Sequence, residues 1–253
     1  MKEEKFEKPK SMAEATRRQV EDALEELDKD DDDEELQRKL LQLQLNSSND
    51  ESRVIRVLSS MFQHMTESKE GVNEMRLQSG VVSSFCQLFK LSKNTTFSDC
   101  RLDFGVQVHA TKKIINGIGE VKGAKSCPES ASLDTYRLGL FGLNMLWKYE
   151  LKSSLVFQVQ EQEAVNWICT IHKGICLMIE VERFLLPTTY LEFVDMKGKV
   201  NKLYNLSLLY KSRCVKEEDD EEGNKPKPCT TSKVSTAKDH TNAKASSSTE
   251  VGL

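Results

Sequence analysis

FSDCRLDFGVQVHAT, residues 97–111, carries the cleanest periodicity in the chain. Leu102, Phe104, Val106, Val108 and Ala110 alternate with Arg101, Asp103, Gly105, Gln107, His109 and Thr111, the two-residue repeat of a strand with one buried and one wet face. The stretch marks a switch. Sequence before it has helical spacing, and most of the chain after it, as far as Tyr210, has strand spacing, so the expected fold class is α+β. A helical arm is packed on or tethered to an antiparallel β-rich domain and leads, beyond that domain, to a disordered acidic C-terminal tail. The expected boundaries are an acidic helical arm over 1–51, partly disordered; amphipathic helices over 52–95; a β-rich body over 96–215; and a disordered tail over 216–253.

Working back from the switch, Val54, Leu58, Met61 and Met65 form the strongest helical stripe, flanked by Ile55 and Phe62. These four residues are the expected helix interface. Packing on the β body is the first expectation for them, and self-association through a short coiled coil is the second. Val72, Met75, Val81, Val82, Phe85, Leu88 and Phe89 continue the pattern, interrupted by Gly71 and Gly80. Upstream, Leu36, Leu40 and Leu43 share a face, as do Val20, Leu24 and Leu27, and Ser11 with Glu14 fits a capping box. Ser47 and Ser48 each have an acid three residues on, Asp50 and Glu51, a common acidic-kinase pattern. A phosphate there would be expected to stabilise the next helix from its N-terminus.

Working forward, INGIGEVKGAK (115–125) superficially resembles a phosphate-cradling loop, but its glycine spacing fits neither a P-loop nor a dinucleotide fingerprint. A surface loop is the expected form, and Lys112, Lys113, Lys122 and Lys125 in and beside it are the expected anionic-surface contact. YRLGLFGLNMLWKY (136–149) is apolar on both alternations, and its two glycines favour a doubly buried strand. Residues 154–159 predict another strand. Val165, Trp167, Cys169 and Ile171, then Ile175, Leu177, Ile179 and Val181, predict a hairpin about Lys173-Gly174. Pro187 ends that strand, and 203–210 is a last strand or short helix.

Charge divides the chain. Residues 1–51 hold 9 Lys+Arg against 17 Asp+Glu and residues 216–253 hold 6 against 8, whereas residues 52–215 hold 21 against 15, a net +6. A basic body between acidic ends suits attachment to an anionic membrane surface or to nucleic acid. The run DKDDDDEE (28–35) is not an EF-hand, because its sixth and twelfth positions are Asp33 and Lys39 where Gly and Glu are needed. The seven widely spaced cysteines contain no CxxC and predict free thiols. No signal peptide and no run of about 20 apolar residues is visible, so an intracellular location, cytoplasmic or nuclear, is expected and no transmembrane segment. The sequons at Asn46, Asn94 and Asn205 are then chance matches.

Motifs for chemistry are sparse. There is no HExxH, no Cys-His zinc spacing and no GxSxG among the four histidines and seven cysteines, so no catalytic residue, metal site or cofactor is assigned. Non-enzymatic assembly is the leading expectation, with self-association or a protein partner held by the helical arm. The arrangement resembles, at the level of architecture alone, viral structural proteins of the matrix kind. A cellular scaffold subunit whose β body binds another protein strand is the alternative. An enzyme with a site built from Cys169 or Cys176 and His109 or His172 is a third.

Overall fold

The computed structural model describes residues 11–30, 33–67, 74–90, 95–98, 104–109, 113–123 and 128–216. Three helices come first: α1 (Glu14–Asp30), α2 (Asp33–Asn46) and α3 (Asn49–Phe62). A further helical segment is built from α4 (Glu74–Arg76), a π-turn Leu77–Val82, α5 (Ser83–Cys86) and a 3-10 turn Gln87–Phe89. Six strands then form one sheet in sequential order: β1 (Thr95–Ser98), β2 (Phe104–His109), β3 (Lys113–Lys122), β4 (Ser153–Gln160), β5 (Glu163–His172) and β6 (Ile175–Leu185). Between β3 and β4 runs α6 (Pro128–Tyr149), and α7 (Tyr190–Val194), a 3-10 turn Asp195–Lys199 and α8 (Val200–Arg213) close the described chain. The class is α+β, with the N-terminal helices packed on the sheet.

One pairing departs from the antiparallel expectation. β3 and β4 are parallel, and the other four pairings are antiparallel. Parallel neighbours need a long crossover, which α6 supplies. Strand β4 is therefore buried on both faces, from Ser153 to Val159. Leu155, Phe157 and Val159 point to the N-terminal helices and α8, and Val156 points to α6. The hairpin between β5 and β6 forms as expected. Lys173 and Gly174 both have positive φ, 50° and 78°, the turn that matches the strands' twist.

The larger core lies on the helical side. Phe85 sits 5.4 Å from Phe89, 5.9 Å from Phe157 and 5.7 Å from Phe184, and Phe89 reaches Tyr210 at 5.1 Å, all edge-on. These rings join the helical segment, β4, β6 and α8 into one body. Val20 and Leu24 of α1 and Leu36 and Leu40 of α2 are buried in the same core.

Two further expectations need correction. Residues 136–149 are helix, not strand: α6 lies so close to the sheet that a Cβ on Gly142 would stand 2.5 Å from Cys169 Sγ, and one on Gly139 would stand 3.1 Å from Met178 Sδ. Residues 113–122 are an interior strand, not a surface loop. A Cβ on Gly119 would stand 2.1 Å from Cζ of Phe157, so the glycine makes room for an aromatic ring rather than a phosphate. Of the two forms expected for 203–210, a last strand or a short helix, the helix is the one built, within α8. The expected disordered tail lies outside the described residues beyond Lys216.

Candidate interaction surface

The expected helix interface is internal. Val54, Leu58 and Met61 are fully buried and Met65 nearly so, in the core that α3 shares with α2, α5 and α8. A polar seam beside it fixes the register of α3 on α8. Arg53 donates to Ser207 Oγ at 2.9 Å and pairs with Asp50 at 3.4 Å, while Asp50 also holds Lys211 at 2.9 Å. Deeper in, Tyr210 donates its hydroxyl to Asn116 Oδ1 at 2.6 Å, and Asn116 donates to the Cys214 carbonyl at 2.7 Å. Asn116 lies at the β2–β3 register shift, so a bulge in β3 is locked to the end of α8.

The start of α3 carries a junction that sequence reading attributed to kinase recognition. Ser48 is its N-cap and forms a capping box with Glu51. The second oxygen of Glu51 accepts the Ala13 amide at 3.0 Å and so holds the beginning of α1. Burial works against the Glu51 carboxylate, but hydrogen bonds from Ser48, Ala13 and Thr16 outweigh it and hold its pKa below the ordinary value. A phosphate on Ser48 would face this carboxylate, whose oxygen already lies 2.8 Å from Ser48 Oγ.

Of the four lysines expected to contact an anionic surface, Lys112, Lys125 and the side chain of Lys113 lie outside the described residues; the Lys113 backbone begins β3. Lys122 is engaged. Its Nζ lies 2.8 Å from Glu120 and 3.4 Å from Asp134, and Asp134 also holds Arg137 at 3.0 Å. The hydrogen bond to Glu120 raises the Lys122 pKa, and the four charges balance in a cluster between β3 and α6.

Among the described residues, His172 does not meet either candidate cysteine. In the β5–β6 register Ile171 faces Cys176 and His172 faces Ile175, so alternation puts Cys169 and Cys176 on one face of the sheet and His172 on the other. Burial pushes the Cys169 thiol up to about 11. The side chain of His109 lies outside the described residues. A groove of about 410 Å³ between α1 and α2 is lined by Thr16, Gln19, Asp22, Glu26, Lys39 and Gln42 among others, and Lys39 pairs with Glu26 there. Among the described residues no three His, Cys, Asp or Glu side chains are placed to hold a metal ion, and no helix is long and apolar enough to cross a membrane.

Sequence reading missed the outer face of α6. Helix α6 buries Ala131, Leu138, Met145 and Leu146 against the sheet. On its opposite face Leu133 is 50% exposed, Tyr136 64%, Leu140 44% and Trp147 43%, with Phe141 beside them at 41%. The spacing of three, four and seven residues from Leu133 to Trp147 places them in one stripe, about 21 Å long at 1.5 Å per residue. The exposed side of α6 also carries Ser132, Arg137, Asn144 and Lys148, so the apolar side chains there alternate with polar ones. Exposed large apolar side chains grouped on one helix face make this the candidate interaction surface. Compared with protein-family models, with curated proteins and with solved structures, the chain matches none.

Proposed function

We propose that the protein is a non-enzymatic assembly component that holds a protein partner through the outer face of α6. The observation that carries this reading is the exposed stripe of Leu133, Tyr136, Leu140 and Trp147 on a helix whose other face is already buried. Stripes of this length dock a second helix or an apolar groove by inserting side chains at three- and four-residue spacing. Val20, Leu24, Leu36 and Leu40 of the helical arm, which is expected to hold the partner, lie in the core, and this favours α6 as the contact. Contact with an anionic surface remains part of the proposal on the net +6 of residues 52–215, with Lys112, Lys113 and Lys125 as its carriers.

The test is the native size of the full chain in an extract of its own cells. Wild type should migrate well above its 28.8 kDa mass, and a Leu133→Ser/Leu140→Ser/Trp147→Ser variant with an unchanged circular dichroism spectrum should migrate at monomer mass. Wild type at monomer mass would refute the reading.

A further inference from the structure

We infer that the occupant of the α6 stripe is a second copy of this chain, paired antiparallel about a two-fold axis through Leu140. This rests on the reading of that face as an assembly surface. Two features of the stripe make it self-complementary, which an isologous interface requires.

The first is the order of its side chains. Reversing α6 about Leu140 sets Leu133 of one copy against Trp147 of the other, and Tyr136 against Asn144, with Leu140 meeting itself on the axis. The bulkiest side chain faces a smaller aliphatic one at both ends. The Tyr136 hydroxyl meets an exposed amide, so neither is left dry and unpaired.

The second is charge. Glu129 lies in line with the stripe in the first turn of α6; at the other end the exposed Lys148 and Lys152 flank Glu150, which pairs with Lys216, so that end is net positive. Antiparallel pairing brings Glu129 of each copy to the lysine end of the other, whereas parallel pairing would set glutamate on glutamate and lysine on lysine. The helix macrodipoles favour the same choice.

The chain's own remaining segments do not suit the stripe. Residues 217–253 contain only Val234, Val251 and Leu253 as large apolar residues, spread through acidic and Ser/Thr/Lys-rich sequence, and residues 1–10 offer Met1 and Phe6 among charges. Neither can fill four turns of apolar helix face.

The experiment has two parts. Sedimentation equilibrium of the purified full chain should show a monomer–dimer equilibrium with a dissociation constant on the order of 10 µM, as expected of an interface at the small end of the specific range. Leu140→Asp, which sets two carboxylates together on the axis, should weaken it by about 100-fold or more. Glu129→Lys should weaken the dimer, and adding Lys148→Glu and Lys152→Glu in the same chain should restore it, because each end then again meets its opposite. A wild-type monomer at all concentrations, or failure of this charge reversal to rescue, overturns the proposal. In the second part, a photo-crosslinking amino acid replaces Tyr136 in the full chain in cells. A crosslink to another copy supports the pairing. A crosslink to a different protein overturns it while leaving the assembly reading intact, and no crosslink to any protein overturns both.

Discussion

The two faces of the sheet are covered in different ways. On one face the N-terminal helices, the segment 74–89 and α8 are stacked deeply enough that Phe85, Phe89, Phe157 and Tyr210 lose all contact with water. On the other a single helix covers β3, β4 and β5, and its own outer side remains apolar and exposed. A row of apolar residues three and four apart thus has opposite fates on α3 and α6. On α3 the stripe is interior to the fold, and on α6 Leu133, Tyr136, Leu140 and Trp147 stay exposed. Whether a stripe binds outward depends on how many layers the rest of the chain puts over it, a property of topology that no window of sequence contains.

The contrast breaks most sharply by truncation. Leu58→Ala on α3 should lower unfolding stability by about 4 kcal/mol, transfer and cavity together, read as a fall in the urea midpoint at constant slope. Gly119→Ala should cost about 3 kcal/mol, because the new Cβ falls within the Phe157 ring and displaces it from the aromatic core. Gly198→Ala, with nothing within 4 Å of its Cβ, should be near neutral in the same assay. Tyr210→Phe should cost about 2 kcal/mol, since it strips the buried Asn116 carbonyl of its donor without changing shape.

Glu51→Gln should cost about 1 kcal/mol and change the pH dependence. The Glu51 pKa is depressed in the folded chain, so its contribution is complete above the unfolded value of about 4.3 and is lost as pH falls through the lower folded value. Melts of wild type against Glu51→Gln should converge on that acid side; parallel curves would show that the Glu51 charge does not hold the α1–α3 junction. Leu140→Ala should leave the stability of the monomer within about 0.5 kcal/mol while weakening self-association.

Much of the fold was legible where local chemistry and tertiary role agree. The Lys173-Gly174 hairpin, the strand at 154–159 and the α3 stripe all come from alternation or three-four spacing, and the structure builds them where the pattern places them. Residues 136–149 misled because a helix buried on one side and apolar on the other has no contrast at a 3.6-residue period, and because Gly139 and Gly142 look like strand glycines when they serve close helix–sheet approach. Residues 113–122 misled because their polar side chains have distant partners: Asn116 is matched by Tyr210, and Glu120 with Lys122 by Asp134 on α6. The candidate surface was hidden by the first of these errors, since a stripe on α6 exists only once α6 is a helix. Of the lysines expected at an anionic surface, Lys122 is committed to a charge cluster with Glu120 and Asp134.

Trp147 offers the most direct measurement. The chain has two tryptophans, so Trp167→Phe leaves Trp147 as the sole indole reporter of the α6 face. Acrylamide quenching of its fluorescence, monitored in the full chain as protein concentration rises through the micromolar range, should fall as the second copy covers the ring, and Leu140→Asp should abolish that fall. Quenching that is strong and unchanged at every concentration would contradict the pairing, because it would show the outer face of α6 still open to water.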